Sequence, residues 1–466
     1  MELRFTDGTT TVRILPSGGE AVLKRWTPQT PEVDTVDVAG ALSDGGERPV
    51  VAYRNVTEQM DVLWAGAASE QRQRLNTLNR LFEGARHRQR TGVGPRVYVE
   101  FRASDAEDWW RSEVLSGRVL VDDGDLDFDL QLVTAGLEGA IIYTRRYYWE
   151  GPEAGIPLSN AHGTNVTNGL TVYNQAPAAG EDNHADIAAG VIAGDVPAPP
   201  RLELTNSYDG AAMLGRVFVA HNVYSSPATL PHMIEGEDGD GTTTSVVYAG
   251  GHSGGAYLLA EWSGESETEI AAWPLSAALL EACGGNYAHV MLRLYTTLAV
   301  SGVWVRLRLK VGLAVQWDGP LMELANGQTL QDLGVVQLPP YQLGPGDLYP
   351  LSLALCARTW GAGAHEMGID YIQLAPADGW RVLAPVTGGV DETERLVDDM
   401  IAGVLYKDGM AVEGRASTYA AFGAPLALVP GAAQRLYFLQ RAVGGGCEVA
   451  RTLSVKVHYR PRRLTI

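Results

Sequence analysis

Apolar and polar residues alternate with a period of two along most of the chain. In VWVRLRLKV, Val303, Val305, Leu307, Leu309 and Val311 fall on one side, and Trp304, Arg306, Arg308 and Lys310 on the other. That is the pattern of a strand with one buried face. Leu126, Phe128 and Leu130 alternate in the same way with Asp125, Asp127 and Asp129. So do Leu453, Val455, Val457 and Tyr459 with Ser454, Lys456, His458 and Arg460. Asp7-Gly8 between LRF and TTTVRIL predicts a hairpin. RPVVAYRNV, EQMDVLWAG, RVYVEFRA and EVLSGRVLV predict further strands early in the chain; YAHVMLRLYTTL, LGVVQLPP, LYPLSLALCARTW and MGIDYIQLAPADGWRVL predict more later.

One segment breaks the period. In SEQRQRLNTLNRLFEGARHRQR, residues 69–90, the apolar positions Leu75, Leu78, Phe82 and Ala85 recur at helical spacing. Ser69 is the expected N-cap, with Glu70 in the first turn. Arg72, Arg80, Arg86, His87 and Arg90 occupy the rest of the surface, and Gly92 and Gly94-Pro95 stop the helix. The predicted class is therefore all-β, a multi-domain β-sandwich or jelly roll, with one prominent amphipathic helix in the N-terminal domain.

A chain of 466 residues predicts several domains. The turn signals place an N-terminal sandwich with its helix at 1–150 and a Gly/Pro-rich connector at 151–200. A jelly-roll sandwich follows at 201–385. The last segment, 386–466, is too short in strands for a strong core of its own and is expected to pack on another domain or subunit.

Charge narrows the function. The formal net charge is −19, and the cations are almost all Arg, with lysines at Lys24, Lys310, Lys407 and Lys456. So acidic a chain repels phosphates, which argues against nucleic-acid binding. Cys283, Cys356 and Cys447 are far apart and odd in number, so neither a zinc site nor a disulfide framework is indicated. The start MELRFTDGTT lacks the basic and apolar regions of a signal peptide, and no segment reaches membrane-spanning length. The expectation is a protein made in a cytoplasm that stays soluble.

Candidate chemistry is sparse. No nucleophile elbow, zinc-protease helix, phosphate-binding loop or dinucleotide fingerprint occurs. Ser253 beside His252 in GGHSGG reads as a loop, because adjacent residues rarely form a nucleophile–base pair. Glu181, Asp182, His184 and Asp186 fit no ligand spacing and read as a solvated linker, and Asp238 and Asp240 as a polar surface loop. The Asp125–Asp129 alternation reads as an acidic strand face rather than a calcium loop. No cofactor, metal or enzymatic activity is expected. The outward Arg72, Arg80 and Arg86 beside Asp125, Asp127 and Asp129 suggest complementary surfaces, meeting within one chain or between identical subunits in a ring. Trp262, Trp273, Trp304, Trp317, Trp360 and Trp380 crowd the second domain. Core packing is the default for most, while Trp262, Trp304, Trp317 and Trp360 are candidates to stack on a glycan.

The order of elements also carries a resemblance. YRNVTEQMDVLWAG, then the helix, then RVYVEFRA gives a sandwich with one helix between strands. This layout resembles the distal tail proteins of long-tailed phages, as do TRRYYWEGPEAGIPLSN, GDVPAPPRLELTN and the closing KVHYRPRRL. The second domain, ending in DLGVVQLPP and IDYIQLAPADGWRVL, is similar to galectin-like or carbohydrate-binding jelly rolls. The resemblance implies a structural virion protein at the tail tip, forming a homo-oligomeric ring, by family a hexamer, that joins tail tube to tip. It implies as partners further copies of itself, the tail tube protein, the tape measure protein, tail-tip and baseplate proteins, and a host surface glycan. It implies no catalytic residues. Two alternatives remain: a carbohydrate- or receptor-binding tail protein acting through 201–385, and a wall-degrading glycoside hydrolase, for which no acid pair stands out.

Overall fold

The computed structural model describes residues 1–17, 21–35, 38–39, 46–47, 50–121, 137–161, 163–165, 167–174, 183–208, 213–224, 233–250, 252–277, 279–280, 287–295, 302–338, 351–361, 363–376, 379–407, 419–444 and 451–466. It is built from strands with one long helix among the described residues, the all-β class that the alternation predicts. The chain forms two compact units. One comprises Met1–Ala154, Ala193–Pro197 and Arg460–Ile466; the other comprises Gly155–Ile192 and Ala198–Tyr459.

In the first unit, Glu2–Thr6 and Thr11–Ile14 form the expected hairpin. Asp7 Oδ1 accepts from the amides of Thr9 and Thr10, and Gly8 takes the positive φ that the turn demands. The sheet continues through Val97–Arg102, Trp110–Val121, Leu137–Arg145 and Val56–Trp64 to Ala21–Trp26. A parallel bridge between Leu15 and Val22 then draws the two edge strands together, so the sheet curls toward closure. The C-terminal Arg462–Arg463 pairs with Trp149–Glu150 at its margin.

The helix, Ala68–Thr91, lies over this core. Leu78, Leu81, Phe82 and Ala85 are buried among Leu3, Phe5, Val99 and Tyr143. Phe82 sits edge-on to Phe5 with ring centroids 5.4 Å apart. Beneath it the Trp110–Val121 strand carries Gly117, where a Cβ would come within 2.6 Å of the Phe82 ring. The cap differs from expectation. The helix begins one residue before Ser69, with Ala67 at the N-cap and no side-chain cap. Gln71 Nε2 and Arg74 Nη1 donate instead to the carbonyls of Gly66 and Ala65, at 2.8 Å each. Gly92 closes the other end in the left-handed conformation, as its position predicts.

The second unit holds two sandwiches. One core, with Leu202, Leu204, Val217, Phe438, Val455 and Val457, lies between a sheet built on Pro200–Asn206 and Leu453–Tyr459 and another built on Leu214–Tyr224 and Ala433–Ala442. Within 151–200, Leu170–Val172 pairs with Leu453–Tyr459, and His184–Ile187 pairs with Ala433–Ala442. The strands from 386 to Tyr459 thus share one core with those of 155–224, while Arg462–Arg463 belongs to the first unit. The second sandwich is made from residues 233–376, between Leu214–Tyr224 and Trp380–Pro385, which are neighbours in one sheet. Val303, Val305, Leu307 and Leu309 face its core, as the alternation requires, and Val311 is half-buried at the end of the strand.

Candidate functional site

The outer side of the helix is the candidate site. At 1.5 Å per residue, 24 residues give a ridge about 36 Å long. Arg72, Arg80, His87 and Arg90 stand exposed along it. Arg86 differs from Arg72 and Arg80. It pairs with Glu83 and donates to the Gly117 carbonyl, so it braces the helix to the strand beneath. An open groove of about 420 Å³ runs where Thr11 and Arg13 face Glu70, Gln73, Arg74 and Thr77. The acidic residues expected opposite, Asp125, Asp127 and Asp129, lie outside the described residues.

The outer face of the first sheet is also built from charge. Cross-strand register lines up Arg13, Arg4, Glu100, Arg111, Glu150 and Arg462 across six strands. Arg4 pairs with Glu100, and Glu150 receives Arg462 at 2.8 Å and Arg111 at 3.5 Å. The Trp109 ring takes the guanidinium groups of Arg4 and Arg102 against it, at 3.9 and 4.7 Å from its centroid. Inside the same unit Glu58 and Arg145 form an ion pair at 2.6 Å with both side chains fully buried. Glu58 also accepts from Tyr143 Oη and from Trp26 Nε1. Burial and the Glu58 charge together hold the Tyr143 phenol well above its ordinary pKa.

The second basic surface in the sequence has a different fate. Arg306, Arg308 and Lys310 do point away from the core, but the Leu351–Thr359 strand beside them presents only Ser352, Ala354 and Cys356 there. The cations reach over these small residues. Arg308 meets Asp318 at 2.6 Å and Glu267 at 3.3 Å, Arg306 meets Glu267 at 3.4 Å, and Lys310 meets Glu269 at 2.7 Å. Cys356 is buried beneath them, and burial pushes its thiol up to about 11.

The four tryptophans proposed for glycan stacking separate. Trp262 is buried in the sandwich core, which corrects its place on that candidate face. Trp304 and Trp317 are half-buried, the latter against the same core. Trp360 is 71% exposed, with Arg358 stacked over its ring at 5.7 Å. Asp186, read as part of a solvated linker, lies in a strand and takes Arg435 in a two-point pair at 2.5 and 2.8 Å. Among the described residues no group of three or more His, Cys, Asp or Glu could hold a metal ion, and no helix is long and apolar enough to cross a membrane.

No protein-family model matches the sequence, and no curated protein matches it significantly. Solved structures do. The chain is similar to the Dit protein of phage SPP1, described as a paradigm of the hub adsorption apparatus in phages infecting Gram-positive bacteria. The identity is 8%, covering 95% of this chain and 93% of that one, with a TM-score of 0.27. It is also similar to chains of the phage P2 baseplate in its activated conformation. With calcium the identity is 10%, over 80% of this chain and 97% of that one, at a TM-score of 0.24. With strontium the values are 7%, 94%, 97% and 0.24. The likeness is one of extent along the chain rather than of close superposition.

Proposed function

We propose that this chain is a structural protein of a phage tail tip, a distal tail or hub protein whose copies form a ring, of six by family resemblance, between tail tube and tip. Its work is assembly, and its neighbours are the tube, tape measure and other tip or baseplate proteins. The observation that supports this is the helix. Arg72, Arg80 and Arg90 face solvent on a rigid ridge, on a chain whose net charge is −19. A second copy offers that ridge an abundance of acidic surface, and long-range attraction of this kind steers association and fixes register. The N-terminal sandwich and helix would build the ring.

Mass photometry of the Arg72→Glu/Arg80→Glu/Arg86→Glu protein tests the reading, with loss of the ring as the expected outcome. Because Arg86 also holds the helix to Gly117, the Arg72→Glu/Arg80→Glu pair is measured beside it. Normal rings from both proteins would remove the helix from the interface.

A second reading is favoured by Trp360, whose exposed ring beside Arg358 is suited to stacking on a sugar. In that case the 233–376 sandwich is a receptor-binding module. Glycan-array binding by the full chain, abolished in Trp360→Ala, would support it, and absence of binding by the parent chain would dismiss it.

A further inference from the structure

The strand Ala364–Pro376 changes neighbour midway. Ala256–Ser263 pairs with it as far as Ile369, and Met233–Glu235 takes over from Tyr371. On the opposite side the ladder slips between Arg293 and Leu294. Asp370 stands at the change and is fully buried. Its Oδ1 accepts from the Ser253 amide at 3.0 Å, and its Oδ2 pairs with Arg293 Nη1 at 2.8 Å. Ser253 Oγ in turn donates to Glu235 Oε1 at 3.0 Å. A short turn, 252–255, is thus held in the break by two carboxylates. Gly254 has φ +61°, and a Cβ there would fall 2.2 Å from Glu237 Oε1, so Glu237 lies over the turn where only glycine leaves it room.

The groups around the turn come from every element that meets it. Glu235, Glu237 and Asp238 lie on the incoming segment, and His252 on the turn itself. Tyr257, Arg293, Tyr295, Glu366 and Asp370 lie on or beside the sheet. His252 packs edge-on against Tyr257 and Tyr295, with its Nδ1 4.0 Å from Asp370 Oδ2. Of the three carboxylates Glu235, Glu237 and Asp370, Asp370 takes the Arg293 guanidinium. Glu235 Oε2 and Glu237 Oε2 are buried without a hydrogen-bond partner. An ionised carboxylate is far more costly in such a place than a neutral one.

We propose that this junction is a proton-operated latch: neutral Glu235 holds the 252–255 turn against the sheet, and ionised Glu235 releases it. Burial raises Glu235 from 4.5 to about 7, with the charges of Glu237, Asp370 and Asp238 acting in the same sense against the Ser253 hydrogen bond. The closed state binds this proton more tightly than the open one. Its contribution is complete below 4.5 and is lost as pH rises through about 7. Asp370, raised by burial from 3.8 to about 6, has the same sign over a lower window. His252 has the opposite sign. Burial and Arg293 lower it from 6.5, so it is neutral above that range and weakens the closure only toward acid.

The latch needs no assembly and is read on the single full-length chain. Hydrogen–deuterium exchange of peptides spanning 252–255, corrected for intrinsic rates, should show opening increase about tenfold from pH 6 to pH 8. Glu235→Gln should lose most of that rise, keeping only the smaller part, about twofold, that Asp370 contributes. Glu237→Gln should keep the rise, its midpoint moved down. A flat parent profile, or an unchanged rise in Glu235→Gln, overturns the latch. Carboxyl NMR of the parent is an independent measurement: a Glu235 midpoint near 7 supports the latch, and an ordinary value refutes it.

Discussion

Two stretches of this chain set Arg beside apolar residues, one at strand spacing and one at helical spacing, and they end differently. Arg306, Arg308 and Lys310 are answered by Asp318 on the adjoining strand and, across the small residues of Leu351–Thr359, by Glu267 and Glu269. Arg72, Arg80 and Arg90 stand in solvent. The cause is geometric. A strand in a sheet has neighbours about 5 Å away on each side; here one carries Asp318, and the small residues of the other let the long cations reach the acids beyond it. The outer side of a helix lying on a sheet has only its own turns to offer, and Arg74–Glu70 and Arg86–Glu83 are pairs of that sort. A basic face is therefore available to a partner where the fold leaves nothing beside it, whatever the local charge count.

The largest expected effect asks what holds the helix down. Phe82 is buried against Phe5 and Gly117, so Phe82→Ala leaves a cavity at the helix–sheet contact. The loss should be about 3–5 kcal/mol, read by chemical denaturation. A loss under about 1 kcal/mol would mean that polar braces such as Arg86 hold the helix instead, and the contrast between the two basic faces would narrow.

Much of this was legible beforehand. Period-two alternation located the strands, and Leu78, Phe82 and Ala85 gave the buried face of the helix, because burial on one side leaves its period in the chain. Partners across a sheet leave a weaker trace. Glu265, Glu267 and Glu269 in GESETEI already show an acidic period of two, but nothing local says that this strand lies within reach of Arg308. Glu58 stands in phase with Val56, Met60, Val62 and Trp64, an acid at a core position that calls for a buried cation. That the cation is Arg145 follows from strand order alone. The Ser253–Asp370 contact spans 117 residues, and no spacing rule reaches so far.

A middle-sized effect measures the paired face directly. Arg308 and Asp318 are partly exposed, so the pair is screened and modest despite its 2.6 Å contact. A double-mutant cycle through Arg308→Ala and Asp318→Ala should return a coupling of about 0.5–1 kcal/mol that shrinks with added salt. A coupling of zero in low salt would make this lattice packing rather than pairing, and Cys356 would be kept covered by the aliphatic stems alone.

The smallest effect belongs to the exposed face. Arg72 lies in the first turns of the helix, where a cation opposes the macrodipole, and Arg80 sits mid-helix in solvent. Neither contributes to holding the fold, so Arg72→Glu and Arg80→Glu should each change the unfolding free energy by no more than about 0.5 kcal/mol, with the first tending toward stabilisation. Thermal unfolding of the isolated chain checks this at concentrations where copies do not meet. The value of so small a number lies in its pairing with assembly. If the reversals leave the single chain intact while rings are lost, the positive ridge acts between molecules. If they destabilise the chain by about 1 kcal/mol or more, Arg72 and Arg80 answer charges within their own unit, and the helix joins the strand face as a surface already satisfied.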